Sequence, residues 1–346
     1  MPRRLVLLSL LSFGCALAEQ PAITPPPTLP SKRPDIRGAR LFLTGDFLYW
    51  MAEQEGLDYA FKAKGTDGST PITDGRVKSI TPDWGIGFRI GLGYRLPHDQ
   101  WDLYLQGTRY FNTTEHRQEV HNHQFISIPF ATIPGATDAL KVDPAKWHLR
   151  FNCLDFEFGR SASFSRFFAV RPFVGLRAAS IDQRFDVRYL LAMPLPDVGL
   201  AHLKIDTRND YHGIGLRLGS DVEYYFISSL SVFGQGSGSL LYGHGVGDTR
   251  IEFEALQSHD DGTLLHAKQS QHLIRSNLEA RLGLKWRTKL YRDRAAFTLM
   301  TTYDMAIWFD QNQLVNFLLI SNTWQTERRD GDLTFQGVAI SGRFDF

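Results

Sequence analysis

The sequence is poor in several things that mark the commoner protein classes. It has two cysteines in 346 residues. Cys15 lies in the first twenty residues, and loss of that segment would leave Cys153 alone, so no intramolecular disulfide could form. Neither sign of charge is in surplus: 38 Lys+Arg stand against 37 Asp+Glu, a net charge of +1. That balance excludes a nucleic-acid binder working through a strong positive field. Beyond the first twenty residues no apolar run reaches the roughly 18 positions that a membrane helix needs. Charged residues are only 22% and apolar ones 43%, which excludes wholesale disorder. What the chain does have is aromatics and glycine: 25 Phe, 12 Tyr, 7 Trp and 30 Gly. That mixture, without long apolar runs, points to strands.

Residues 1–18 read as a secretory signal. Arg3 and Arg4 supply the charged start, Leu5–Leu11 the short apolar core, and Ala16-Leu17-Ala18 the small-residue cleavage site. Cys15 is preceded by Ser12-Phe13-Gly14, which lacks the leucine expected at a lipid-attachment site. Residues 19–38 hold six of the chain's 16 prolines and read as an extended periplasmic leader that joins no sheet. The folded unit is expected over 39–346.

From Arg40 onward the period is two. In Trp84–Leu96, the residues Trp84, Ile86, Phe88, Ile90, Leu92, Tyr94 and Leu96 share one face, while Gly85, Gly87, Arg89, Gly91, Gly93 and Arg95 share the other. Strict alternation of this kind is a half-buried strand. The pattern recurs in Tyr211–Phe226, Asn277–Arg287 and Phe168–Ile181, the last with Pro172 inside it. Parity breaks at Asn152-Cys153, between Trp147/Leu149/Phe151 and Leu154/Phe156/Phe158, as a β-bulge would require. Ten strands are expected, at about 40–52, 76–96, 101–113, 146–160, 167–183, 210–227, 229–243, 272–288, 295–309 and 332–346. The number rises to twelve or more if Phe125–Phe130 and Ile251–Leu256 are strands of their own.

Short and long connections alternate. Pro97–Gln100, Ser161–Arg166, Ser228 and Lys289–Arg294 are short, whereas 53–75, 114–145, 184–209, 244–271 and 310–331 are long. All the short turns fall on the side that carries both chain ends. The fold class is therefore all-β, a transmembrane antiparallel up-and-down β-barrel. Its apolar face looks outward to lipid, and the Gly-Arg face lines the interior. By these strand ends Trp50, Trp84, Trp147 and Trp308 lie near the outer rim, with Trp101 and Trp286 near the turns. The six are expected to form two aromatic girdles at the membrane–water interfaces. The last strand closes on Phe346, a terminal aromatic of the kind barrel-assembly machinery reads.

With the strands placed, the wording of several segments resembles the Legionella major outer-membrane-protein family, which also occurs in Chlamydia-like bacteria. The segments are FLTGDFLYWMAEQEGLDYA (42–60), WDLYLQGTRYF (101–111), LDFEFGRSASFSRFFAVRPFVGLRAASIDQ (154–183), LSVFGQGSGSLLYG (230–243) and YDMAIWFDQNQ (303–313). The resemblance implies a pore-forming barrel in a bacterial outer membrane. Some relatives form disulfide-linked complexes; with Cys153 alone, this chain would make at most a dimer that way. The residues by themselves read Cys153 as a small apolar group on a strand.

The predicted interior face carries Arg89, Arg95, Arg177, Arg217, Asp221, Glu223, Glu279, Arg281, Lys285 and Arg343, besides Asp46 and Asp345. Two readings stay open. The charges line a diffusive pore, where rings of basic residues would favour anions, or they pair with one another and plug it. The interior glycines Gly85, Gly87, Gly91, Gly93, Gly213, Gly215 and Gly219 either leave space or permit tight strand coiling. His121-Asn122-His123 with His116 has no convincing ligand spacing for a metal and reads as a polar loop. Ser220, His212, Asp221 and Asp304 form no nucleophile–base motif, so no enzyme is expected. Gly213-Ile214-Gly215 belongs to a strand, since no helix follows it.

The expected function is that of an outer-membrane porin passing small hydrophilic solutes, with no cofactor. The rival is a structural or adhesive outer-membrane barrel whose lumen is plugged and whose outer loops do the work. Expected partners are outer-membrane lipid, the barrel-assembly machinery and small hydrophilic solutes, not nucleic acid. A homo-oligomer stays open because no sequence feature fixes one.

Overall fold

The computed structural model describes residues 40–64, 74–97, 99–119, 124–128, 131–132, 139–192, 200–255, 261–290, 294–312, 315–320, 323–328 and 330–346. The signal, the Pro-rich leader and His121-Asn122-His123 lie outside the described residues.

Ten strands close into one antiparallel ring: β1 (Leu41–Gln54), β2 (Trp84–Arg95), β3 (Trp101–Glu119), β4 (Ala139–Arg160), β5 (Phe168–Ala192), β6 (Leu200–Ile227), β7 (Leu230–Ala255), β8 (Asp261–Leu290), β9 (Ala295–Asn312) and β10 (Gly331–Asp345). Each pairs with the next along the chain, and β10 pairs with β1 to complete the circle. Closure leaves no free edge in the ring, which is what a strand fold needs in lipid. Residues 228–229 make the tightest turn, and all the short connections share one end with Leu41 and Phe346.

Two expected additional strands add no crossing. Gln124–Ser127 is a short outer strand that pairs with Asp58–Lys64, which pairs in turn with Asp74–Ser79. Ile251–Ala255 is the end of β7. Pro172 is accommodated because β5 starts pairing with β4 at Phe173, so the missing N–H faces no β4 partner.

Four strands are longer than their alternation suggested. Residues 184–209 and 244–271 were expected as loops, yet most of them continue β5 to β8. The cause is an inversion of polarity along a single strand. On β5, Val174 and Leu176 point outward and are exposed, while Ile181, Phe185, Val187, Tyr189 and Leu191 point inward and are buried. On β6, Ile214, Leu216 and Leu218 are exposed, while Leu203, Ile205 and Tyr211 are buried. The lower part therefore shows apolar residues to lipid. The upper part shows charge to water and keeps an apolar core inside.

The same inversion corrects the expected bulge at Asn152-Cys153. Pairing runs unbroken through both residues against β3 and against β5. Trp147, Leu149 and Phe151 point inward above the switch, and Leu154, Phe156 and Phe158 point outward below it. Parity changes because the solvent outside changes, with no residue inserted.

Candidate functional site

The barrel interior is the natural place to look for a site, and it is filled in two tiers. The lower tier is charged. Arg89 pairs with Asp46 at 3.0 Å and with Asp304 at 3.3 Å, and Arg281 reaches the same two carboxylates. Arg177 pairs with Asp155 at 2.6 Å and also with Glu279. Arg217 joins Glu279 at 2.7 Å and Glu157 at 3.4 Å. Arg171 holds Asp102, Glu157 and Asp221. Nearer the turns, Arg95, Arg287 and Arg343 surround Asp345, and Lys285 pairs with Glu223 at 3.1 Å.

Much of this pairing is written into the register. Asp46 stands directly opposite Arg89, Asp155 opposite Arg177, Asp221 opposite Arg171 and Asp304 opposite Arg281. Side chains so placed on one face of adjacent strands meet without bending the backbone. In the central network five guanidinium groups meet seven carboxylates. An arginine-dominated field that would draw anions is therefore absent from this layer.

All ten charged residues expected on the interior face sit there, and they do so as members of ion pairs. The expectation left out Arg171, Arg287, Asp102, Asp304, Asp155 and Glu157. Alternation held the signal for the last two: both fall between Leu154, Phe156 and Phe158, which face lipid.

The upper tier is aromatic. Phe151 packs on Trp308 with ring centroids 5.6 Å apart and on Phe335 at 5.0 Å. Trp50 and Tyr110 complete the group, 5.8 Å apart and each near Phe335. Phe151 is on β4 and Trp308 on β9, five strands apart in a ring of ten, so they come from opposite walls. Higher still, the Gln183 side-chain amide donates to Gln54 Oε1 at 2.9 Å, and the Tyr189 hydroxyl donates to the Tyr59 carbonyl. The first of these contacts also crosses the interior, from β5 to β1.

This tier corrects the expected girdles. Trp50, Trp147 and Trp308 are 5%, 1% and 0% exposed and point into the barrel. They were placed by strand end alone, and parity puts them on the inner face above the polarity switch. Trp84 and Trp286 are exposed on the outer surface, and Trp101 is partly exposed there, stacked on Phe158.

Among the described residues the interior keeps one cavity of about 40 Å³ against the aromatic tier and one of about 140 Å³ toward the turns. Gln106, Gln235 and Arg281 line both. The interior glycines do not widen the lumen. A Cβ at Gly215 would collide with the Leu240 carbonyl, and one at Gly175 with the Phe156 carbonyl. These glycines serve close approach of neighbouring strands.

Cys153 also faces inward, 6% exposed, with its Sγ 3.5 Å from Asp155. A thiol enclosed in the wall cannot reach another chain, which removes the disulfide-linked dimer. Of the residues weighed for hydrolysis, His212 and Ser220 face outward, while Asp221 and Asp304 face inward, so the four do not converge. His116 bonds to the Thr81 backbone. Among the described residues no group of three or more His, Cys, Asp or Glu is placed to hold a metal ion. Phe346 is bonded through its backbone to Leu41, with its ring on the outer surface.

Outside the lipid zone the sheet is held by exposed pairs. Lys146 and then Arg117 beside Glu115 hold its carboxyl below the usual range, and Lys141 does the same for Asp143.

Comparison with known proteins gives one broad match. A family model described as the Legionella pneumophila major outer membrane protein precursor matches residues 38–346. Solved structures with similarity include the outer membrane protease OmpT from Escherichia coli, at 10% identity over 89% of this chain and 97% of that one, with a TM-score of 0.39. The attachment invasion locus protein Ail of Yersinia pestis matches at 9% identity, 89% and 99% coverage and a TM-score of 0.25. A Pseudomonas aeruginosa FadL homologue matches at 8% identity, 89% and 90% coverage and a TM-score of 0.26. Likeness at this level carries no argument about activity. No curated protein matches the chain.

Proposed function

Because the chain belongs to the Legionella major outer membrane protein family over residues 38–346, we propose that it serves in the outer membrane as a closed structural or adhesive barrel that acts through its outer extension. One observation carries this reading: Phe151 and Trp308, from diametrically opposite strands, meet at 5.6 Å across the lumen. The ion pairs below that contact and the Gln54–Gln183 bond above it act in the same direction. Ten strands stand near the size at which a barrel is filled by its own side chains. The groups weighed for hydrolysis are divided between the two faces of the wall, which favours a role without covalent chemistry.

The porin reading has its own support in the two interior cavities, which share Gln106, Gln235 and Arg281 in their linings. Conductance in a planar bilayer decides between the two. The closed barrel is expected to be silent, and to stay silent in Phe151→Ala with Trp308→Ala for as long as the ion-pair layer beneath is intact. Stable steps from the unmodified, folded protein would overturn closure and restore the porin. The reversal potential under a salt gradient would then report its ion preference.

A further inference from the structure

The level at which polarity inverts is marked on the outer surface by three histidines in one row. His212 stands opposite His244, and His244 opposite His272, on β6, β7 and β8, and the row continues through Ser180 of β5 to Asn152 of β4. All three imidazoles point outward and are exposed. His244 and His272 have ring centroids 5.1 Å apart, and His272 stacks on Tyr242 at 5.7 Å. Ser270 Oγ lies 3.1 Å from His244 Nε2, and Asp182 lies 3.8 Å from His212 Nε2. A shallow groove of about 620 Å³ runs along the row.

The rungs on either side say what meets this groove. Below it come Ala178, Ile214, Tyr242 and Ile274, the top of the lipid-facing belt. Above it come Asp182, Asp210, Val246 and Ser270, then Arg184, Arg208, Asp248 and Lys268. Acyl chains end where the apolar rung ends, so the groove lies at the depth of lipid headgroups. The Arg184–Lys268 rung is four residues higher, about 10 Å above for a strand tilted in the usual way.

We propose that His212, His244 and His272 seat the phosphate groups of outer-leaflet lipids, and that acid switches this seat on. The sign follows from the neighbours. With neutral imidazoles, Asp182 and Asp210 outnumber Arg150, which stands opposite Asp182 on β4, so the two rungs nearest the headgroup are net negative and repel phosphate. Three protonated imidazoles outnumber the negative charge that remains and reverse the local sign. Arg184, Arg208 and Lys268, set against Asp248 and with His148 opposite Arg184, form a higher tier.

The test uses the full folded chain in phosphatidylcholine vesicles containing spin-labelled phosphatidylglycerol, whose charge is constant over the range examined. The quantity read is the association of the labelled lipid with the protein relative to labelled phosphatidylcholine. That preference is expected to rise about threefold between about pH 7.5 and about pH 5.5. His212→Gln, His244→Gln and His272→Gln together should abolish the rise. Asp182→Asn with Asp210→Asn should produce the preference already at the higher pH, and it keeps the proposal falsifiable if the triple variant fails to fold. An equal rise in the triple variant, no preference at either pH, or no effect of removing the two carboxylates would each overturn the seat.

Discussion

Arg177 shows what a single residue does in this interior. Its guanidinium is 2% exposed, held by Asp155 on β4, by Glu279 and Asn277 on β8, and lies 5.9 Å from the Trp308 ring on β9. A buried ion network adds little over an apolar core, but breaking it from one side is expensive. Arg177→Ala leaves Asp155 and Glu279 with Arg217 alone between them, Asp155 only at its 4.0 Å limit, and should lower the unfolding free energy by roughly 3 kcal/mol. Urea unfolding in lipid vesicles, followed by tryptophan fluorescence, measures this. Arg177→Met combined with Asp155→Asn and Glu279→Gln should recover most of the loss, since no charge is then stranded. A loss well under 1 kcal/mol for the alanine variant would mean that water reaches the layer, and closure would fail with it. Alternation along β5 was enough to put Arg177 inside. Its partner was not legible, because Asp155 meets it through the register of two strands, a relation between segments 22 residues apart.

The elements carry a second rule, the reversal of their outward polarity part-way up. Alternation persists on both sides of the switch, but the apolar set moves from one parity to the other. A reading tied to one parity therefore ends a strand where the backbone continues. This is why β5 and β6 were expected to stop near 183 and begin near 210, and why a bulge was expected at Asn152-Cys153. It also explains the misplaced tryptophans. Trp147 and Trp308 sit above the switch, where the inner face is the apolar one. What was legible below the switch was the strand order, the side carrying the turns, and the inner face. Two substitutions on β6 separate the zones. Ile205→Asp buries a charge in the core of the extension, whereas Leu218→Asp, deeper in the belt than Ile214, presents it to lipid. The first should leave the barrel inserted but open the extension to protease added from outside. The second should reduce insertion, at a cost on the order of 1–3 kcal/mol that grows with depth. Protease resistance of the extension in the Ile205→Asp variant would contradict a packed core there. Unchanged insertion of the Leu218→Asp variant would contradict the placement of the belt.

At the scale of the whole molecule these features make a barrel that is strongly unequal at its two ends. The turn end is finished by connections such as 228–229 and stops close to the membrane. The other end continues as a sheet, longest on β5 to β8, where β8 alone has 30 residues. A lipid belt about 25 Å tall uses only some of that length. Residues 261–271 of β8 lie above the histidine row, and at the usual rise and tilt they project about 30 Å beyond the membrane. The projection is lopsided, because β1, β2 and β10 are much shorter. Its inside is packed and its outside charged, so it offers a sheet surface where long loops were expected. Atomic force microscopy of the protein in a supported bilayer should show protrusions near that height on one face and low relief on the other. A height of only about 10 Å on both faces would mean that the extension folds down or melts. A surface role would then have no platform, and the charged outer face of β5 to β8 would need another explanation. Full height with a silent bilayer trace would instead join the two halves of the molecule: a sealed base in lipid that holds a folded wall above it.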